Sequence, residues 1–497
     1  MFHALRLDHV SGASNAGTPT LIVGAGAAGR AIANALRREP SFGLSVLGFL
    51  DDVPQQRSRR GPILGRTADL AEVANRTGAE VVIMAIPSLG TKRLRELAAL
   101  ACTCGLSVRY LPSFTAALER DLHVSDLRSL RLDQLIGRHE VHVVSPAVRS
   151  VVVGRRVLVT GAGGSIGSEL CRQLMGLGPA ELFMLDHDES NLHRLQLQIS
   201  GEALLQSDEL IIADIRDAAR VEQVFRDHRP EVVFHAAAHK HLPLLEQHPC
   251  EGVKSNVLGT EHLVDAALRH GTERFILVST DKAADPTSVL GATKRLAEMV
   301  LQANAIGSTR FAAVRFGNVL GSRGSFLHVL SEQVANGESV TVTHPDVTRY
   351  FMTVEEAVGL VLEAAVMAEY GEIFVLDMGE PVRIVDLVRS YAAQTHSADV
   401  AIRFTGLRPG EKLNESLFSE HEERVRTIHP KISATLTQGV LPHLRRLLDE
   451  LYAAAADNDS SEVRRVLTRV IPEYAPPSQA AVEARSPAMS APYPDGF

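Results

Sequence analysis

Cysteine is scarce in this chain: Cys102, Cys104, Cys171 and Cys250 are the only four. They make neither a disulfide framework nor a paired CxxC zinc pattern, and Cys102 and Cys104 stand too close for an easy mutual bridge. Such usage points to a reducing cytoplasm. No uninterrupted apolar run reaches the ~20 residues that cross a bilayer. The opening MFHALRLDHVSGASNAG also lacks the apolar core of a secretory signal. The expectation is a cytoplasmic protein with no membrane-spanning segment. Basic residues do not dominate either. The 51 lysines and arginines against 59 acids leave a net charge of −8, which argues against nucleic acid or an anionic membrane as a general partner. At 497 residues the chain is too long for one ordinary core, so two or three domains are expected.

What the chain does contain is two strand–glycine–helix openings. In the first, the apolar run Thr20 to Val23 leads into Gly24-Ala-Gly26-Ala-Ala-Gly29, and a helical pattern follows from Arg30 to Arg38. Glycines there permit a tight turn and close backbone approach, and a helix N-terminus favours phosphate. A second strand, Ser45 to Leu50, ends in Asp51 and Asp52, about where a ribose-binding acid belongs. Strands over Glu80 to Ile86 and Leu106 to Tyr110, with a helix over Thr91 to Cys104 between them, complete a doubly wound half. Residues 18–145 are therefore expected to be a Rossmann-like nucleotide-binding-type domain, with Leu130 to Ser150 as a connector.

The second opening carries more signals. The strand Arg156 to Thr160 runs into Gly161-Ala-Gly-Gly164-Ser165-Ile166-Gly167 and a helix from Ser168 to Met175. The strand Leu182 to Leu185 ends at Asp186, about twenty residues past the last glycine, placed for an adenosine ribose. An acid at that position repels a 2′-phosphate and so prefers NAD to NADP. Asp214, Ile215 and Arg216 follow the strand Leu210 to Ala213 and are suited to line the adenine. After the strand Val232 to Phe234 come His235 and the small residues Ala236, Ala237 and Ala238, which let backbone approach a cofactor closely. His235 is expected to pack near the cofactor. His239, Lys240 and His241 have no carboxylate or thiolate constellation beside them, so no metal is expected.

Farther on, Phe275 to Val278 reads as a buried parallel strand ending in Ser279, Thr280, Asp281 and Lys282. Open α/β sheets present substrate at that end. On an extended backbone these successive side chains alternate in direction, so Asp281 and Lys282 are expected to point apart. A helix over Ser288 to Val300 then places Leu290 and Lys294 one turn apart on one face.

The spacing of these pieces resembles the extended short-chain dehydrogenase/reductase superfamily, in which a Tyr-x-x-x-Lys pair sits on the helix after this strand. Lys294 matches the lysine, but position 290 is Leu and none of the seven tyrosines is near. That departure counts against an ordinary epimerase or reductase. HAAAHKHLPLLE, STDKAADP, GATKRLAE, RFGNVLGSRGS, TRYFMT and GLRPGEKL follow in order from His235 to Leu413. Together they resemble the polysaccharide-biosynthesis family of nucleotide-sugar 4,6-dehydratases, typified by UDP-N-acetylglucosamine 4,6-dehydratase. The resemblance covers about residues 18–430. The large members also lack the tyrosine, usually carrying Met there. They usually have membrane helices ahead of the first domain, which this sequence does not show.

The resemblance implies an α/β fold of two Rossmann-like doubly wound domains, the second (150–430) an extended short-chain dehydrogenase/reductase fold. It implies tightly held NAD, with Asn256 and Lys294 joining the glycines, Asp186 and the alanines in the cofactor set. It also implies a reaction: hydride leaves sugar carbon 4 for NAD, the ketone acidifies carbon 5, water is lost across carbons 5 and 6, and hydride returns to carbon 6. By position, Asp281 is the acid at the carbon-6 hydroxyl and Lys282 the base at carbon 5. Those roles need Asp281 protonated and Lys282 neutral, the direction in which burial pushes both. Thr280 is left to relay the carbon-4 hydroxyl proton. His239, Lys240, Asn318, Arg323, Arg349, Arg408 and Glu411 fall in segments the family uses for the nucleotide-sugar, Arg408 and Glu411 as a clamp on phosphate and ribose. The family also implies a homo-oligomer. The rival readings are a nucleotide-sugar epimerase and a regulatory protein that binds NAD and nucleotide-sugar without turnover. Residues 431–473 read as a helical extension and 474–497, rich in Pro, Ala and Ser, as a disordered tail.

Overall fold

The computed structural model describes residues 17–38, 43–52, 62–86, 145–200, 208–305, 307–320, 326–394, 400–435 and 443–474, together with Ser322 and isolated positions between 97 and 129. The chain divides into two compact units, residues 1–143 and 144–497.

In the first unit six strands make one sheet in the order β3-β2-β1-β4-β5-β6. They are β1 (Thr18–Val23), β2 (Leu44–Leu50), β3 (Ile63–Gly65), β4 (Val81–Met84), β5 (Ser107–Tyr110) and β6 (Arg128–Ser129). All neighbours pair in parallel except β5 with β6. Both faces are covered, as a parallel sheet requires: Ile22, Phe49 and Ile83 join one apolar cluster, and Leu21, Val23, Leu50 and Val82 the other. The glycine turn lies at the carboxyl end of β1. There Gly24 adopts φ +101°, and the Asp51 carboxylate accepts the Ala25 N–H at 2.7 Å. Asp52 instead takes the backbone N–H and hydroxyl of Thr67.

The second unit is built on a nine-stranded sheet, β20-β21-β17-β12-β11-β10-β7-β8-β9. Its strands are β7 (Arg156–Thr160), β8 (Glu181–Asp186), β9 (Leu210–Ile212), β10 (Val232–His235), β11 (Arg274–Val278), β12 (Arg310–Arg315), β17 (Glu372–Leu376), β20 (Arg424–Arg426) and β21 (Ile432–Thr435). Seven run parallel, and β21 and β20 close one edge antiparallel. Three short pairs stand outside this sheet: β13 (Asn318–Leu320) with β16 (Phe351–Thr353), β14 (Val340–Val342) with β19 (Ile402–Phe404), and β15 (Thr348–Arg349) with β18 (Val382–Arg383). Strand order reverses at β7, which has β8 on one side and β10 on the other, so a crevice opens beyond its carboxyl end.

Two expectations change here. The stretch read as a connector contains a helix, Pro146–Val152, whose Val148, Val151 and Val152 sit in the core at helical spacing. The helices Leu444–Ala456 and Ser460–Val470 do more than extend the fold. Leu448, Leu451, Val463 and Leu467 share one apolar cluster with Val257, Leu263 and Leu296, so they complete the layer on one face of the sheet. The tail beyond Tyr474 and Arg323 lie outside the described residues.

Candidate active site

At the end of β7 the chain turns through Gly161, at φ +67°, and enters the helix Ser165–Met175. A Cβ on Gly161 would stand 2.6 Å from the Ala237 amide nitrogen, and one on Gly167 2.0 Å from the Gly161 carbonyl oxygen, so neither position admits a side chain. The Asp186 carboxylate at the end of β8 accepts the Gly163 N–H at 2.9 Å and the Asp188 N–H at 3.0 Å, fixing it beneath the glycine turn. A cavity of about 230 Å³ is lined here by Gly161, Asp186, Asp214, Ile215, Ala236, Ala237, Ala238 and His239. A second cavity of about 590 Å³ is lined by Gly164, Ser165, Ile166, Gly167, Lys240, Thr280, Lys282, Leu290 and Asn318, among others. Both are walled by Gly164, Asn191, Ala236, Ala238 and His239, so they form one groove.

Not every expected cofactor residue faces that groove. Asn256 is buried, accepts the His239 N–H at 2.8 Å, and donates to the His239 carbonyl and the Thr293 hydroxyl at 3.1 Å each. It pins the loop that forms the wall and does not line the cavity. Burial disfavours charge on Asp214, but bidentate bonds from Arg216 outweigh it and hold its pKa below the usual value. His235 is enclosed between the hydroxyls of Thr160 (2.7 Å) and Thr260 (2.9 Å). Burial, aided by Lys294, pushes its pKa down to about 3, so it packs as neutral imidazole.

The turn after β11 departs from the extended backbone expected. Thr280 remains extended, but its side chain caps a single 3-10 turn over Asp281–Ala283. The turn brings the side chains of Thr280, Asp281 and Lys282 together. Asp281 Oδ1 accepts both the Thr280 hydroxyl and the Lys282 ammonium at 2.9 Å. Lys282 Nζ also donates to Asn318 Oδ1 at 3.3 Å and lies 3.9 Å from Glu415 Oε1. Asp281 and Lys282 therefore meet, contrary to expectation. Burial lowers the Lys282 pKa, but Asp281 and Glu415 outweigh it, and the net shift is upward. The lysine is charged before any ligand binds, the reverse of the expected neutral amine.

Lys294 lies on the helix Val289–Ala303, capped by the Ser288 hydroxyl and by Glu246, whose Oε1 accepts the Val289 N–H at 2.7 Å. Its Nζ donates to the Val278 carbonyl at 2.6 Å, and burial pushes its pKa down to about 8. Leu290, one turn earlier, presents hydrocarbon to the cavity. Behind the turn, the Ser279 hydroxyl donates to Glu298 at 2.6 Å, and Glu298 shares the fully buried Arg315 with Glu422.

Of the substrate candidates, His239, Lys240 and Asn318 line the groove. Arg349 does not: its guanidinium donates to Glu411 Oε1 at 2.8 Å and to the carbonyls of Thr348 and Leu413. Glu411 also accepts from the Thr343 hydroxyl and the Arg408 backbone N–H. Its carboxylate is thus taken up by Arg349, Thr343 and the Arg408 backbone. Sequence reasoning missed Asn191, which walls both halves of the groove, and Glu415, which approaches Lys282. Glu415 sits two residues beyond the GLRPGEKL run, and no local pattern distinguished it.

Fold and groove together define an extended short-chain dehydrogenase/reductase. A polysaccharide biosynthesis protein family matches residues 157–437, and a CoA-binding domain family matches residues 2–112. The chain is 38% identical over 447 residues to "Probable polysaccharide biosynthesis protein EpsC" of Bacillus subtilis, covering 88% of this chain and 74% of that one. Over 278 residues it is 32% identical to a UDP-glucose 4-epimerase of Rickettsia rickettsii, covering 54% of this chain and 79% of the relative. Among solved structures it is similar to Pen from Bacillus thuringiensis, with a TM-score of 0.53, 30% identity and coverage of 57% and 89%. The chain belongs to the polysaccharide biosynthesis protein family.

Proposed function

We propose that the second unit is an NAD-dependent nucleotide-sugar 4,6-dehydratase, a hydro-lyase that converts UDP-N-acetylglucosamine or a similar UDP-sugar to its 4-keto-6-deoxy form for polysaccharide synthesis. The observation that carries this reading is the Thr280–Asp281–Lys282 cluster: Thr280 and Lys282 line the groove together with Leu290, and the buried Asp281 bonds both of them. A dehydratase needs an acid and a base there beyond what hydride transfer needs, and a lysine on an aspartate supplies both kinds of group.

NAD fits the other half of the groove. Gly161 and Gly167 have no room for a Cβ, the helix Ser165–Met175 presents its N-terminus, and Asp186 is fixed where an adenosine ribose is read. When bound, NAD supplies the chemistry of accepting hydride from sugar carbon 4 and returning it at carbon 6. Gly161, Gly164, Ser165, Ile166 and Gly167 hold the pyrophosphate, and Asp214, Ile215 and Ala236 to Ala238 enclose the adenosine. Asn256 acts on the cofactor wall through His239. Lys294 orients the nicotinamide ribose. Lys282 serves as base at carbon 5, Thr280 meets the carbon-4 hydroxyl, and Asp281 supplies the proton for the leaving hydroxyl. His239, Lys240 and Asn318 contact the sugar nucleotide, joined by Arg323 and the Arg408 side chain, while Arg349 and Glu411 shape the loop. On the family resemblance and the cysteine usage, we place the protein as a homo-oligomer in the cytoplasm. No helix among the described residues is long and apolar enough to cross a membrane.

An epimerase is the second reading, favoured by the relative of that name. One experiment separates the two. The purified protein is incubated with UDP-N-acetylglucosamine in deuterated water, and the product is read by mass spectrometry and NMR. Loss of one water, with deuterium at carbon 5 and a ketone at carbon 4, is the expected result. An inverted hydroxyl without loss of water refutes dehydration.

A further inference from the structure

Among the described residues, none from the helices Leu444–Ala456 and Ser460–Val470 lines either cavity, yet polar groups of this pair reach the walls of both from behind. At the larger cavity the link is Arg464. Its guanidinium donates to Glu246 Oε2 at 2.9 Å and to the Glu246 carbonyl, while Glu246 Oε1 accepts the Val289 N–H at 2.7 Å. Val289 opens the helix that carries Leu290, on the cavity wall, and Lys294. Glu246 itself lies on the helix Leu242–Gln247, directly after the wall residues His239, Lys240 and His241. Its side chain is only 7% exposed, so losing the cation would leave a buried charge without its partner. One carboxylate thus joins the C-terminal pair to two segments of the wall.

At the smaller cavity the link is Asn458. It stands in the turn between the two helices at φ +56°, a left-handed conformation that asparagine tolerates, and its Oδ1 accepts Lys254 Nζ at 2.7 Å. Lys254 also donates to Glu251 Oε1 at 3.0 Å, and Glu251 Oε2 accepts Arg216 Nη1 at 2.9 Å. Arg216 lines the cavity, as does Ser255, the residue after Lys254. Lys254 and Ser255 belong to the π-helical turn Val253–Leu258, which also holds Asn256, the residue that pins the His239 loop. Beneath these polar links, Val463 and Leu467 share one apolar cluster with Val253, Val257 and Val289. Filling the core requires only that apolar stripe. It does not require Arg464 and Asn458 to bond residues that adjoin the cavity walls.

We propose, resting on the NAD reading, that the C-terminal helical pair is a two-point brace on the cofactor groove. Asn458 is a positioning residue for the adenosine half, acting through Lys254 and the turn that holds Ser255. Arg464 is a positioning residue for the nicotinamide half, acting through Glu246 and the start of the helix that carries Leu290 and Lys294. Both contacts belong to one packed pair, so the pair sets the separation of the two walls. NAD, which spans both halves, therefore meets a groove already ordered and loses less of its binding energy to ordering it.

The test uses the full chain, freed of bound nucleotide, and calorimetry with two probes: ADP for the adenosine half and NAD for both halves. Circular dichroism shows that each variant is folded. Asn458→Gly keeps the left-handed turn and removes the amide, and it should weaken ADP and NAD alike, roughly threefold for a link open to solvent. Arg464→Met keeps an apolar stem and removes the guanidinium. It should weaken NAD roughly tenfold and leave ADP within about twofold of wild type, because the lost bond is to a buried carboxylate at the nicotinamide end. Arg464→Lys should recover part of the NAD affinity. If Arg464→Met does not fold, Arg464→Lys beside Asn458→Gly makes the same comparison. A role confined to the core predicts a different pattern, in which Arg464→Met loosens the whole groove and weakens both probes equally. That pattern, or unchanged NAD affinity in either variant, overturns the brace and leaves the NAD reading standing. A wild type that binds neither probe overturns both.

Discussion

Replacing Arg315 by Met should be among the most damaging single changes in the second unit, and the size of the effect follows from what surrounds it. The side chain is fully buried and makes four bonds of 2.7–2.9 Å, two to Glu298 and two to Glu422. Met keeps most of the volume but removes the charge, leaving two buried carboxylates with Arg295, at 3.2 Å from Glu298, as residual countercharge and single bonds from the Ser279 hydroxyl and the Ser419 N–H. Breaking a buried pair in this way costs about 3–5 kcal/mol, or roughly 4–7 °C in Tm for a unit of this size. The chain has no tryptophan, so urea unfolding is followed by circular dichroism. The pH dependence has a defined sign. Burial raises the Glu298 pKa, but Arg315 outweighs it and the net shift is downward, so in wild type this stabilisation is present above the ordinary carboxylate range and lost as pH falls through the depressed value. In the variant only burial remains to act strongly, protonation becomes favourable, and the stability gap to wild type narrows toward acid. The triple change E298L, R315M and E422L removes all three charges and should recover most of the loss. A single variant that loses less than about 1 kcal/mol, within the range of an exposed pair, refutes the account. So does a triple variant no more stable than the single.

Gly161→Ala forces a side chain into φ +67° and against Ala237, so NAD affinity measured by calorimetry should fall roughly tenfold or more. Unchanged affinity means that the cofactor does not use this turn. Lys294→Met tests the burial of its amine. Because the folded pKa is about 8 and the unfolded value near 10.5, the unfolded chain binds more protons between them, and wild-type stability rises with pH across that window. Met should remove that slope and add about 3 kcal/mol at pH 7, less the loss of the bond to Val278; a persisting slope sinks the assignment. Glu246→Ala leaves Val289 N–H without its acceptor and Arg464 without its carboxylate, though still bonded to the backbone carbonyl of residue 246, so about 2–3 kcal/mol should be lost. Amide exchange should speed up in both the helix Val289–Ala303 and the helix Ser460–Val470. Acceleration in only one of them contradicts a shared anchor.

Why these buried charges stayed hidden in the sequence, while the groove did not, comes down to the range of the interactions. The glycine turn was legible because its constraint is local: Gly161, Gly164 and Gly167 lie within one turn, and Asp186 follows at the end of the adjacent parallel strand. The turn after β11 was legible in composition but not in direction. Strand alternation applies through Val278, and the Thr280 hydroxyl then caps a turn that folds Asp281 and Lys282 together, so a period of two carried past the strand puts them on opposite sides. The charge state of Lys282 was less accessible still, because Glu415 reaches it from a loop far along the chain and reverses the direction that burial alone would impose. Arg349 shows the same effect. Taken alone, an arginine in TRYFMT invites a phosphate, yet Glu411 arrives from another loop and satisfies it. Apolar patterning settles which face of an element is buried, and turn chemistry settles where the backbone can approach a ligand. The protonation of a buried group depends on which distant carboxylate the closed fold brings beside it, and that pairing has no signature in either partner's own segment. Lys282 is the clearest case, since the Asp281 and Glu415 contacts that escaped local reading raise its pKa against the pull of burial.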